Sequence, residues 1–130
     1  AEYTNTTYNG KTIHPITGTS MLKVMKGESD MVHPESEKIG YELAGNSAIF
    51  MGKYKMVKNL PPQGKGEWEL YNIETDPAEM RNLVEEMPEL VEELIAAYEE
   101  YEAQNGVVPV PPGYDPQVQS IKNSKAGRSH

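Results

Sequence analysis

Four short runs rich in apolar residues lie in the middle of the chain and predict an antiparallel sheet. The runs cover residues 39–43, 48–51, 54–57 and 67–73. Gly52-Lys53 separates the second run from the third, and a Gly-led dipeptide between two apolar runs is typical of a two-residue hairpin, because Gly supplies the positive φ that the first turn position needs. Gly45-Asn46 predicts a turn between the first two runs.

Apolar residues at helical spacing follow the last run and predict one long helix over residues 88–105. Pro88 suits the first helical position, and Asn105-Gly106 ends the pattern. The apolar stripe consists of Leu90, Val91, Leu94, Ile95, Tyr98 and Tyr101. Such a helix extends about 27 Å, enough to cross four strands. The sequence therefore predicts an α+β fold, with a small antiparallel sheet of about four strands packed against a long C-terminal amphipathic helix.

The rest of the sequence predicts three parts. Residues 1–18 are polar and form an N-terminal loop or connector, in which residues 8–11 fit either a small hairpin or a plain loop. Residues 19–106 form the α+β domain, and residues 19–27 predict a short helix of about two turns at its start. Residues 107–130 form a Pro-rich tail that is expected to be extended or mobile.

Two polar residues between the last strand and the long helix are predicted to cap local turns. Asp76-Pro77 ends the strand, since proline cannot continue a hydrogen-bonded ladder. Asp76 is expected to cap the turn that Pro77 starts, and Asn82 is expected to cap a short piece before the helix. Both are interpreted as structural residues and not as ligands.

The net charge of −8 is carried by one segment. Residues 74–105 hold eleven acidic residues and one Arg, whereas residues 1–73 hold eight acidic and eight basic residues. Residues 106–130 sum to +2, from three basic residues and one acidic. No basic stripe suited to nucleic acid is present, and an acidic surface repels phosphates and anionic lipids. A solvated helix face explains the acidic segment better than a cation-binding surface does.

The chain contains no Cys, which excludes disulfides, thiolate metal sites and a Cys nucleophile within it. No apolar run reaches the roughly 18 residues of a membrane span, and no signal peptide is visible. The polar start without Met suggests a processed or excised piece. The compartment stays open.

Candidate catalytic groups are few, and none is assigned a catalytic, cofactor-binding or metal-binding role. His14, His33 and His130 share no helix face and no metal-ligand spacing. Acidic pairs occur at Glu85/Glu86, Glu92/Glu93 and Glu99/Glu100. Adjacent helical positions do not face one another, so these pairs indicate a solvated face and not an acid–base couple. One sheet face stays open once the helix covers the other, and that face or the helix flank is expected to dock onto a partner.

Three stretches, in order, resemble the C-terminal region of sulfatases, in particular bacterial arylsulfatases. They are Gly18-Thr19-Ser20-Met21-Leu22 with Met25-Lys26-Gly27, Gly40 to Ile49 with Gly52-Lys53-Tyr54-Lys55, and Leu70-Tyr71-Asn72-Ile73 with Asp76-Pro77-x-Glu79 and Asn82-Leu83. The resemblance covers roughly residues 6–108. Ser47 and Phe50 stand where this family often has Arg, and Asn72 where it often has Asp, so the polar contacts of those positions are expected to differ.

The resemblance implies sulfate-ester hydrolysis by a larger N-terminal catalytic domain that uses a formylglycine and Ca²⁺. This chain lacks the Cys/Ser-x-Pro-x-Arg motif, the metal-binding acidic residues and the sulfate-binding Lys and His of that domain. The expected partner is therefore the catalytic domain itself, with loops 44–47 and 59–66 shaping the rim of its substrate pocket. No cofactor is expected within this chain, no nucleic-acid or membrane partner is expected, and the family analogy favours a periplasmic or exported parent.

Two other functions are compatible with the same residues. A non-enzymatic module could reuse the sheet and helix to bind a protein partner, and the acidic helix could make the module cation-dependent. Self-association through the exposed docking face is a further expectation for a chain separated from a catalytic domain.

Overall fold

The structure is a computed structural model that describes residues 7–13, 18–111 and 113–126. The chain divides into two compact units, residues 1–34 and residues 35–130. This division lies at residue 34, whereas the sequence analysis placed boundaries after residues 18 and 106.

The first unit contains a small hairpin and a short helix. Strands β1 (Thr7–Tyr8) and β2 (Lys11–Thr12) pair antiparallel around a turn whose two residues both have positive φ. Helix α1 spans Leu22–Met25, and the Ser20 hydroxyl accepts a hydrogen bond from the Leu22 N–H at 3.3 Å. Of the two interpretations of residues 8–11, the hairpin is thus the one found, and α1 is a single turn where about two were predicted.

The second unit is built on a four-stranded antiparallel sheet in the order β3-β4-β5-β6. The strands are β3 (Lys38–Leu43), β4 (Asn46–Met51), β5 (Tyr54–Lys58) and β6 (Trp68–Asn72). Ala44 and Gly45 form the first turn, at φ 54° and 87°, one residue earlier than predicted. Gly52 has φ 52° at the first position of the second turn, as predicted. The predicted α+β fold is confirmed.

Helix α2 (Pro88–Asn105) packs on one face of this sheet. Gly106 ends it in the left-handed region at φ 64°, which a residue without Cβ adopts at little cost. Its predicted apolar stripe faces the core. The fully buried side chains of that core are Leu94 and Tyr98 of α2 with Ile49, Met56 and Leu70 of the sheet. The Tyr101 ring lies directly on Gly40 of β3, in space that a Cβ would occupy.

A further helix, α3 (Pro116–Ala126), lies in the segment that the sequence analysis expected to be extended or mobile. The Asp115 carboxylate accepts hydrogen bonds from the N–H groups of Gln117 at 2.8 Å and Val118 at 3.1 Å. Asp followed by Pro at the first helical position is a recognisable helix start. The Pro-rich composition of the preceding residues concealed that signal.

Candidate functional site

The segment between β6 and α2 lies against the edge of the sheet that β6 forms. The Leu70 N–H donates to Asn82 Oδ1 at 3.0 Å, and the Leu70 carbonyl accepts from the Leu83 N–H at 2.7 Å. Asn82 Oδ1 also accepts from the Val84 N–H at 3.0 Å, as predicted for a capping residue. Asn82-Leu83, the end of the third resemblance stretch, thereby satisfies backbone groups of an edge strand that would otherwise be open to pairing.

Asp76 holds the turn that precedes this segment. Its carboxylate accepts a hydrogen bond from the Arg81 N–H at 2.8 Å. Bonds from the backbone N–H groups of Arg81 and Met80 stabilise the ionised form and lower the pKa of Asp76 below its ordinary value. The predicted structural role of Asp76 is confirmed.

One ion pair joins the second and third resemblance stretches. Glu79 of Asp76-Pro77-x-Glu79 contacts Lys55 of Gly52-Lys53-Tyr54-Lys55, on the sheet face opposite α2. Both side chains are about one-quarter to one-third exposed, at 24% and 32%. The turn after β6 therefore folds back over β5, and this brings the two motifs together in space.

The sheet face opposite α2, here called the open face, has an apolar cluster at its centre and carries Lys55 of the ion pair with Glu79. Ala48, Val57 and Tyr71 are buried at its centre, and Phe50 and Ile73 pack against them. Its β3 side is uncovered: Ile39, Tyr41 and Leu43, which alternate along β3, are 42%, 53% and 60% exposed. Three neighbouring apolar side chains exposed on one strand are typical of a surface that contacts another polypeptide.

A cleft of about 210 Å³ lies at the end of the sheet where β3, β4 and β5 meet the C-terminal end of α2. Residues 107–110 form one apolar wall, and the side chains of Val110 and Leu60 both lie so close to Gly45 that a Cβ there would crowd them. The Leu60 N–H donates to Asn46 Oδ1 at 2.8 Å, so the loops after β3 and after β5 are fixed to each other. The polar residues that line the cleft are Glu42, Ser47, Lys58, Tyr98 and Glu102.

Tyr98 Oη is a buried polar atom without a hydrogen-bond partner among the described residues. Burial raises the pKa of Tyr98; the nearby Ser47 hydroxyl opposes the rise, and the carboxylates of Glu102 and Glu42 add to it. The Ser47 hydroxyl does not form a hydrogen bond of acceptable geometry with Tyr98. The phenol therefore stays neutral and is not suited to act as a base.

The described residues do not assemble acid–base, nucleophilic or metal-ligand chemistry. His33 is exposed and His14 and His130 lie outside the described residues. Within the described ranges, no group of three or more His, Cys, Asp or Glu could hold a metal ion. The acidic pairs are separated on the surface, where Glu86 binds Arg81 at 2.8 Å and Glu93 binds Lys38 at 2.7 Å. Among the described helices, none has the length and apolar character that crossing a membrane requires.

Comparison with known proteins identifies similarity to sulfatases. The chain is 42% identical over 81 residues to an uncharacterized sulfatase of Schizosaccharomyces pombe, a match that covers 62% of this chain and 14% of that protein. No family model matches the chain. A solved structure described as BT4656 in complex with its substrate D-glucosamine-2-N,6-O-disulfate is 22% identical, covers 55% of this chain and 16% of that chain, and has a TM-score of 0.41.

The curated match thus spans about one-seventh of the relative's length. It confirms the resemblance predicted from the three stretches: the chain is similar in sequence to part of a sulfatase.

Proposed function

We propose that this chain is the C-terminal subdomain of an arylsulfatase-like sulfuric ester hydrolase and that it buttresses the catalytic domain. The observation that carries the proposal is the uncovered β3 side of the open face, with Ile39, Tyr41 and Leu43 each more than 40% exposed. The S. pombe relative has most of its length outside the match, which provides a polypeptide large enough to cover that face. Burial of these side chains would stabilise the docked state by about 25 cal/mol per Å² of apolar surface removed from water.

The cleft supports a second part of the same proposal, that loops 44–47 and 59–66 shape the rim of the substrate pocket. The two loops are fixed to each other through Asn46 and Leu60, and both line the cleft. The reaction itself would belong to the catalytic domain. The formylglycine and Ca²⁺ implied by the resemblance do not fit the residues present here, since the chain has no Cys/Ser-x-Pro-x-Arg motif and its described residues offer no acidic or His ligand cluster.

The first experiment concerns parentage. We expect the reading frame upstream of Ala1 to encode a Cys-x-Pro-x-Arg or Ser-x-Pro-x-Arg motif, and we expect the purified, mass-verified 130-residue chain to hydrolyse no aryl sulfate. Turnover by the isolated chain, or an upstream frame without the motif, would overturn the proposal.

The second experiment concerns docking. In the parent enzyme, Leu43→Lys places a charge on the buried side of the proposed contact, so we expect a lower thermal midpoint and lower aryl sulfatase activity. Met80→Lys is the matched control, because Met80 is 84% exposed and lies in the turn after β6, not on a strand of the sheet. Equal effects of the two substitutions would show that the open face is not the docking surface.

A further inference from the structure

The two outer edges of the four-stranded sheet differ in their hydrogen bonds among the described residues of the second unit. Asn82 and Leu83 bind the outward backbone groups of Leu70 in β6. Within the described part of the second unit, residues 35–111 and 113–126, no hydrogen bond reaches the outward backbone groups of β3. An edge strand with free N–H and C=O groups is a template for pairing with another strand.

The outward groups of β3 belong to three alternate residues. Leu43 and Asn46 close the two-residue turn between β3 and β4, and such a closing pair exchanges backbone hydrogen bonds. Because bonded pairs alternate along the ladder, the N–H and C=O groups of Lys38, Gly40 and Glu42 point away from β4. They are available to a strand that approaches from the edge.

We propose that β3 pairs with β3 of a second copy of this chain, antiparallel and centred on Gly40. This register aligns the outward groups of both strands, so the two four-stranded sheets become one continuous sheet. The pairing uses the backbone edge of β3 and two of the exposed side chains that the proposed function assigns to docking, Ile39 and Tyr41. Its test is made on the isolated chain, so its outcome does not depend on docking to a catalytic domain.

The side chains of β3 are self-complementary in this register. Lys38 of one copy faces Glu42 of the other, and Ile39 faces Tyr41. Opposite charges and aromatic–β-branched pairs across two strands stabilise a sheet by roughly 0.2–1 kcal/mol each. Ile39 and Tyr41 are 42% and 53% exposed in the single chain, so the pairing also removes apolar surface from water.

Two features limit the assembly to a dimer of modest affinity. Asn82 and Leu83 occupy the middle of the β6 edge, which hinders growth of the four-stranded sheet from that side, and a two-fold contact closes on itself. On the α2 side, Lys38 already binds Glu93 at 2.7 Å, and the acidic faces of two α2 helices approach each other. Their repulsion opposes association and is screened by salt.

Sedimentation of the full chain across a wide concentration range tests whether the dimer exists. We expect a monomer–dimer equilibrium for the wild type and for Met80→Lys, and a monomer for Ile39→Lys with an unchanged urea midpoint. A wild type that stays monomeric, or an Ile39→Lys variant that dimerises as the wild type does, would overturn the proposal.

Disulfide trapping tests the register. The chain has no Cys of its own, so any disulfide must join the cysteines that are introduced. Residues 39 and 41 of different copies form a non-hydrogen-bonded pair, in which the Cα atoms are about 4.5 Å apart and within disulfide range. We expect a mixture of Ile39→Cys and Tyr41→Cys chains to yield a linked heterodimer under mild oxidation, and either variant alone to yield little. Equal linkage of Ile39→Cys with itself would exclude this register.

Discussion

Tyr98 shows at the scale of one residue how packing can override hydrogen bonding. Its ring is 2% exposed and contacts Trp68 edge-on at 5.2 Å, while its hydroxyl finds no partner among the described residues. Because an unpaired buried hydroxyl is destabilising, we expect Tyr98→Phe to leave the free energy of unfolding unchanged or to raise it by up to about 1 kcal/mol. Urea denaturation measures this, with Tyr8→Phe as the exposed control. A loss above about 1 kcal/mol would mean that a water or another group in the cleft pairs with the hydroxyl.

Asp76 makes a pH-dependent contribution at the same scale. Its pKa is lowered in the folded chain by bonds from the backbone N–H groups of Arg81 and Met80. A lowered pKa means that the ionised form stabilises the fold above the unfolded-state pKa of an aspartate, and that this contribution is lost as pH falls through the folded-state pKa. We expect Asp76→Asn to lower the urea midpoint at pH 7 and to change it little near pH 2. If the difference in urea midpoint between the wild type and Asp76→Asn does not change with pH, ionisation of Asp76 does not stabilise the fold.

The Lys55–Glu79 ion pair is the prediction at the scale of elements, because it joins β5 to the turn after β6. A double-mutant cycle with Lys55→Met and Glu79→Gln is expected to give a coupling energy of about 0.5–1 kcal/mol, at the upper end for exposed pairs, since both side chains are partly buried. The matched control is Lys26–Glu28, whose atoms are 3.9 Å apart and whose side chains are both 56% exposed. If the two cycles give similar coupling energies, the Lys55–Glu79 pair contributes no more to stability than an exposed pair does.

The contact between α2 and the sheet forms the larger of the two core clusters in the second unit. A Cβ at Gly40 would overlap ring atoms of Tyr101, which is held by the surrounding core. We expect Gly40→Ala to cost about 1–3 kcal/mol in urea denaturation, because overpacking forces the helix and strand apart. Gly18→Ala is the control, since a Cβ there meets nothing within 4 Å. A loss no larger than the control's would show that Tyr101 moves aside freely.

Most of the fold was predictable because local patterns and tertiary contacts agree in the second unit. The four strands, the Gly52 turn and the full extent of α2 follow from apolar spacing and from Pro88 and Gly106. The first turn was placed one residue late because Ala44, an unusual residue at positive φ, occupies its first position. Helix α3 was missed, although Asp115-Pro116 carries a start signal.

The sequence predicted that an open surface exists, but not which residues form it. An open sheet face follows from one helix on one sheet, but which part of it stays uncovered depends on the turn after β6, whose Glu79 reaches Lys55. The cleft beside Tyr98 could not be predicted from the sequence, because residues 107–110 form one of its walls and have no periodic pattern. Sequence spacing does not specify such contacts, because they join segments far apart in the chain.

The sequence by itself determined the elements, their order and the resemblance to sulfatases, because hydrophobic periodicity and turn residues act over a few neighbouring positions. The tertiary structure decided what the resemblance motifs do. It showed that Asn82 and Leu83 bind Leu70 at the β6 edge and that Glu79 holds Lys55. It also showed that the apolar side chains of β3 are exposed and that its outer edge receives no hydrogen bond from the described part of the second unit. The physical reason is that edge protection and surface exposure are properties of strands brought together in space, and no single segment carries them.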